Sequence, residues 1–212
     1  MTTLSIRIST LQKSTKRQIA LVLLLCLLVL GAAAKGASSD VLGWEQAIAL
    51  GFYEAAVLFL PLVLVVTQLG SVWFAFAVIA WLFLRQRLDA VMLFGAVVLS
   101  FVTSEAIKTM VARPRPYDTI DGILHKDPLT VGGFGFPSGH AAIAAALGIG
   151  LAALFPRVPR WAIGVLVLSV GISRIGLGMH LPLDVVGGAA TGVFFGTLIF
   201  GPKMLADRQK KA

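Results

Sequence analysis

The sequence is poor in charge: 13% of its 212 residues are Asp, Glu, Lys or Arg, about half the share of an ordinary soluble domain. With 58% hydrophobic residues and a mean hydropathy of +0.91, a chain of this size has no core large enough to hide its apolar surface from water. That excludes a disordered chain and a water-soluble enzyme, and makes the bilayer the expected solvent. Cysteine is nearly absent. Cys26 stands alone in the apolar run LVLLLCLLVL, which excludes a disulfide framework and a thiolate zinc cluster and leaves a lipid-facing or packed side chain. No internal repeat and no low-complexity tract interrupts the Leu, Val, Ala and Gly enrichment, and the 22 glycines suit close helix packing in lipid. Acidic residues are also few, so the net charge is +8. The cations sit in short clusters between apolar runs and form no continuous basic face, which argues for the positive-inside rule and against nucleic acid.

About 20 residues make one membrane-crossing helix. The apolar runs predict an all-α, polytopic protein of six transmembrane helices, organised as a single integral-membrane domain over residues 1–212. A basic stretch precedes the first run, residues 19–34. Ala32, Ala33 and Ala34 also fit a signal cleavage site, but an uncleaved anchor is preferred because many more spans follow. Residues 35–54 are mixed, with Trp44, Glu45 and Tyr53, and read as a short helix lying at the interface. Residues 55–84 are apolar apart from Pro61, Gln68, Gly70 and Ser71, and read as one tilted or kinked span. Spans over residues 90–107, 140–155, 161–179 and 183–200 follow, with the one substantial loop ending at Pro137.

With both termini inside, Arg7, Lys13, Lys16, Arg17, Arg85, Arg87, Arg157, Arg160, Lys203, Arg208, Lys210 and Lys211 are cytoplasmic. Lys35, Lys108, Arg113, Arg115, Lys126 and Arg174 fall on the outer side against that trend, so some of them call for a functional explanation.

Three polar elements converge at the outer end. Ser138 can cap the helical run of Ala141, Ala142 and Ile143 that follows, Gly139 lets the backbone approach a ligand, and the free N–H groups of the first turn form an anion site that His140 could reach. An ordinary capped helix start accounts for this segment equally well. His180 and Asp184, with Pro182 opening a helix between them, allow a carboxylate to fix the imidazole tautomer and leave the other nitrogen free to attack or to take a proton; a structural pairing is the alternative. Lys108, Arg115 and Arg174 together suit a phosphate dianion, whereas Arg113 and Lys126 read as headgroup or solvent contacts. Phosphoryl chemistry is the inference. Glu105, three residues before Lys108, is placed to pair with it on a helix. His125 reads as a loop residue. Phe134 and Phe136 read either as the lining of an acyl or prenyl groove or as interface anchors.

These elements read Lys-x6-Arg-Pro over residues 108–116, Pro-Ser-Gly-His over 137–140, and Ser-Arg-x5-His-x3-Asp over 173–184. In this order they resemble the type 2 phosphatidic acid phosphatase superfamily, with no departure at a defining position. The resemblance covers about residues 88–200. It implies six transmembrane helices, a phosphohydrolase that uses neither metal nor cofactor, and an active site at the outer membrane face. Carried over by position, it makes His180 the nucleophile, Asp184 the residue that orients its ring, and His140 the acid and then the base. Lys108, Arg115, Arg174, Ser138 and Gly139 would hold the phosphoryl oxygens.

The expected function is a multi-pass enzyme of the inner (plasma) membrane acting on a membrane lipid phosphate, with undecaprenyl diphosphate as first choice. That preference rests on the size and loop layout of small family members. A phosphatidate or phosphatidylglycerophosphate phosphatase and a lipid phosphotransferase are alternatives within the enzyme class. Outside it stands a phosphate-recognising transport or binding protein, against which two histidines with an Asp partner argue. The sequence sets no oligomeric state.

Overall fold

The computed structural model of the protein describes residues 3–129 and 132–209, with side chains over 16–129 and 132–204. Every regular element among the described residues is helical: α1 (Thr3–Ala37), α2 (Gly43–Leu58), α3 (Leu60–Gln68), α4 (Val72–Phe83), α5 (Arg87–Val111), the short α6 (Pro116–Thr119), α7 (Gly139–Leu154), α8 (Arg160–Gly176) and α9 (Pro182–Gln209). Of the cations assigned to the cytoplasm, the side chains of Arg7, Lys13, Arg208, Lys210 and Lys211 lie outside the described residues.

Three described stretches are long and apolar enough to cross a bilayer, Lys16–Ala37, Arg87–Thr119 and Pro182–Met204. Large apolar side chains such as Leu24, Leu28, Val65, Trp73, Phe94 and Trp161 are exposed. Water would penalise such a surface and lipid does not, so the protein is an integral membrane protein.

The region before α5 departs from the single tilted or kinked span expected over residues 55–84. Residues 55–84 are not one helix; they hold the end of α2, then α3, then α4. α2 and α3 meet at 109° beside Pro61. Pro61 lacks an N–H and fixes its own φ, which favours a new helix start there. The chain turns again at Leu69–Gly70–Ser71, where the Ser71 hydroxyl accepts from the Phe74 N–H at 3.1 Å and caps α4. A Cβ at Gly70 would lie 2.7 Å from the His140 carbonyl oxygen, so only glycine lets this corner close on the start of α7.

α7 is the central helix, buried from Ala141 through Gly148. It packs on α9 along Gly188, Gly192 and Gly196, whose missing side chains admit the Ser138 carbonyl, the Ala142 carbonyl and the Ile149 side chain. A seam of small residues every four positions brings two helix backbones together in lipid. The main core lies among α4, α5, α7 and α9, with Leu82, Leu93, Ile143 and Phe200 at its centre. α1 lies along α9, Gly36 against Leu183 and Gly201 against Ile19. Cys26 is packed and buried.

Candidate active site

The close α7–α9 seam fixes the helix starts that carry the polar residues. At α7, the Ser138 hydroxyl accepts from the Ala141 N–H at 3.4 Å, and the Ser138 N–H donates to the Asp184 carbonyl at 2.9 Å. The first turn of α7 is thereby locked to the first turn of α9. The Lys108 ammonium lies over this helix start, 3.8 Å from where a Gly139 Cβ would stand, with Glu105 Oε1 at 3.6 Å. Glu105 and Lys108 form the pair expected from their spacing, at 2.6 Å.

At α9, Pro182 takes the first helical position and Asp184 the third. Asp184 Oδ2 accepts from the Leu181 N–H at 2.8 Å, a cap built from inside the helix. His180 Nδ1 stands 3.6 Å from the same oxygen, too far for a hydrogen bond, and is buried without a partner. The expected carboxylate–imidazole hydrogen bond is thus a near contact here, because the helix cap and an arginine already hold the carboxylate.

That arginine is Arg113, which the sequence reading assigned to headgroups or solvent. The structure corrects this: Arg113 is 3% exposed. Its Nη1 donates to Asp184 Oδ1 at 2.8 Å and its Nη2 to Glu45 Oε2 at 2.5 Å. Glu45, read as part of an interfacial segment, is fully buried and also accepts from the Leu183 N–H at 3.0 Å. Burying a guanidinium is tolerable only with such partners.

Arg174 is likewise fully buried. Its Nη1 donates to Asp127 Oδ2 at 2.5 Å and to the Thr67 hydroxyl at 3.1 Å, so the long loop and α3 both hold it. Arg115 donates from Nε to the Gly133 carbonyl at 2.8 Å and from Nη2 to the Gly132 carbonyl at 3.2 Å. Lys126 is half-buried, with its ammonium 3.2 Å from the centre of the Tyr53 ring. Phe136 is buried against Ala33 and Ala37 and lines no groove, whereas Phe134 is exposed. His125 is a loop residue that stacks on Tyr117 at 5.1 Å.

The sequence-derived set therefore converges. His140 lies within electrostatic range of His180, Arg174, Lys108 and Asp127; His180 lies within range of Arg174, Arg115 and Lys108. Burial, then those three cations, hold the His180 imidazole well below its ordinary value of 6.5, against a weaker opposing pull from the Gly135 backbone. The ring is thereby held neutral at pH 7. Among the described residues no three His, Cys, Asp or Glu side chains come together as a metal-binding group. Sequence reasoning missed Glu45, Thr67, Asp127 and the true place of Arg113. One signal was available: an arginine buried beside an apolar run needs acceptors, best of all a carboxylate, and Glu45 and Asp127 are among the few acids on that side.

The sequence profile of the PAP2 superfamily matches residues 89–202. The undecaprenyl-diphosphatase of Sulfolobus acidocaldarius is 29% identical over 122 residues, 57% of this chain and 58% of that protein. The lipid A 1-phosphatase of Rhizobium etli is 34% identical over 109 residues, 50% of this chain and 47% of that protein. The chain thus matches about half the length of these curated relatives. In fold it is similar to the crystal structure of a transmembrane PAP2-type phosphatidylglycerolphosphate phosphatase from Bacillus subtilis, with a TM-score of 0.56, 21% identity and coverage of 91% of this chain and 96% of that one.

Proposed function

This chain belongs to the PAP2 superfamily, and on that premise we propose that it is a membrane phosphatase that hydrolyses a lipid phosphate or polyprenyl diphosphate, with undecaprenyl diphosphate the first choice. The observation that carries the reading is the convergence of two histidines and three cations, from three separate stretches of chain, at the amino terminus of α7. A site that only binds phosphate needs the cations but not a buried neutral imidazole. The name of the Sulfolobus relative favours the diphosphate.

In this mechanism the terminal phosphoryl group sits among Lys108, Arg115, Arg174 and the free N–H groups of the α7 first turn, where positive charge stabilises the spreading negative charge of the transition state. Nδ1 of His180 faces Asp184, which leaves Nε2 to attack phosphorus. A P–N bond forms as the P–O bond to the lipid breaks, and His140 gives a proton to the departing oxygen. The lipid leaves one phosphate shorter. His140 then takes a proton from water, whose oxygen attacks phosphorus; the P–N bond breaks and inorganic phosphate departs. The six-span topology, termini in the cytoplasm and site at the outer face of the inner membrane belong to the same proposal, supported by the gathering of Lys108, Arg113, Arg115 and Arg174 about the site.

The test is phosphate release by the detergent-purified protein from undecaprenyl diphosphate, phosphatidate and phosphatidylglycerophosphate side by side in excess chelator, with His180→Ala as control. Release that survives chelator and vanishes in the variant supports the reading. No release from any of the three by folded protein contradicts it.

A further inference from the structure

Asp184 is held by a second buried carboxylate acting through an arginine. Arg113 bridges the two: Nη1 to Asp184 Oδ1 at 2.8 Å and to Glu45 Oε1 at 3.2 Å, Nη2 to Glu45 Oε2 at 2.5 Å. All three side chains are at most 2% exposed. Both acids also cap the same helix, Asp184 at the Leu181 N–H and Glu45 at the Leu183 N–H. None of this is needed to bury apolar surface. Three charged groups in one dry cluster, two of one sign, need a reason.

The reason follows from charge. A buried arginine paired with Asp184 alone would cancel the one negative charge that faces the His180 ring. A second carboxylate on the same guanidinium leaves the cluster with a net charge of −1. As His180 attacks phosphorus, its ring becomes a phosphoimidazolium and needs that charge beside Nδ1. Among the described residues, the charged groups in range of His180 besides Asp184 are Arg174 on α8 and Arg115 and Lys108 from α5 and its following loop, all cationic, with the His140 imidazole on α7 beside them. The distal Asp127 is committed to Arg174.

We infer that Glu45 and Arg113 are positioning residues for the reaction: Glu45 on α2 shares Arg113 with Asp184, and so keeps the Asp184 carboxylate anionic in effect and aimed at His180. The inference rests on the reading of His180 as nucleophile. It ties catalysis to α2, which lies outside the three motifs.

The two residues carry opposite charges, so their removal moves His180 in opposite directions. Glu45→Gln keeps the shape and deletes one negative charge; the acid limb of the kcat/KM profile, where His180 takes its proton, moves to lower pH. Arg113→Gln deletes one positive charge and moves the limb to higher pH. Each shift is on the order of one pH unit, with kcat lowered about 10- to 100-fold and KM changed less than about threefold. The double variant Glu45→Gln/Arg113→Gln restores the limb towards the wild-type position. A role confined to folding would lower the amount of active enzyme and leave the limb in place.

The experiment is the pH profile of phosphate release from undecaprenyl diphosphate, or from whichever lipid of the panel is turned over, by full-length protein in detergent. The four forms are compared at equal folded concentration. Opposed shifts that cancel in the double variant support the inference; absent or parallel shifts overturn it while leaving an active, His180-dependent enzyme intact. Should the wild type release no phosphate from any lipid, the proposed function fails first. The His180 titration is then read directly by nitrogen-15 NMR of labelled histidine in micelles, assigned with His180→Ala, and the same opposed shifts are required. Where Arg113→Gln fails to fold, Arg113→Lys keeps the charge and holds the limb within about 0.3 of a pH unit of wild type, and Glu45→Gln alone decides the sign.

Discussion

The α7–α9 seam sets the distance between the two halves of the site, and a methyl group is enough to test it. At Gly192 an added Cβ would meet the Ala142 carbonyl oxygen inside contact distance, the Ala145 Cβ at 2.7 Å and the Ala146 N at 2.9 Å. The obstacles are helix backbone and a Cβ, which have no rotamer to yield, so the helices must move apart by several tenths of an ångström. Overpacking of this kind costs about 1–3 kcal/mol, against about 1 kcal/mol gained when alanine replaces glycine in a helix. Rigid backbone puts Gly192→Ala near the upper end, a net loss of about 1–2 kcal/mol. Gly164, in α8, meets nothing within 4 Å, so Gly164→Ala has the gain without the clash. Thermal unfolding in detergent should lower the Tm of Gly192→Ala by about 3–8 °C and leave Gly164→Ala equal to or above wild type. Separating the helices also parts His140 from His180, so phosphate release should fall by at least about tenfold in Gly192→Ala alone. Equal Tm values for the two variants would refute the claim that backbone contact at this seam holds the site together.

Other outcomes follow from the same geometry. Asp127→Asn leaves the buried Arg174 guanidinium without its 2.5 Å carboxylate partner and should lower stability by about 3–5 kcal/mol, read as a fall in Tm; a change below about 1 kcal/mol would show that Thr67 and its other partners suffice. Lys108→Met should reduce kcat by about 100- to 1,000-fold through loss of transition-state charge. Glu105→Gln, whose side chain is 44% exposed, should cost only a few-fold in rate with an unchanged Tm. His180 titrates below its unfolded value, so below about pH 6.5 the unfolded chain binds a proton that the folded chain refuses. Stability therefore falls as pH drops, by at most about 1.4 kcal/mol per pH unit from this group. A scan of Tm from pH 7 to 5 should be steeper for wild type than for His180→Asn, and parallel lines would contradict it.

Much of the site was legible because charge is so scarce in this chain. With few ionisable residues near apolar runs, Lys108, Arg115, His140, Arg174, His180 and Asp184 stand out, and the structure brings them to one end of the bundle. The Glu105–Lys108 pair was readable from helical spacing alone. The partners of the arginines were not. Glu45 and Arg113 are 68 residues apart, Asp127 and Arg174 are 47 apart, and no local pattern encodes which acid meets which base. The fold before α5 was misread for a related reason. Hydropathy sees apolar length but not direction; the 109° bend between α2 and α3 leaves Pro61 as its trace, and the turn into α4 leaves Gly70 and Ser71. The close packing that selected Gly188 and Gly192 was visible as glycine enrichment, but not which glycines face backbone.

The central claim is that a phosphoryl group passes through His180, and trapping it is the most direct test. Radiolabelled undecaprenyl diphosphate, carrying its label in the terminal phosphate, would be mixed with the protein and quenched in alkali within milliseconds, then digested and mapped. The account predicts label on the peptide that holds His180, stable to base and lost in acid, and none in His180→Ala. Full turnover of the lipid with no label on any histidine, or label that persists in His180→Ala, would contradict it.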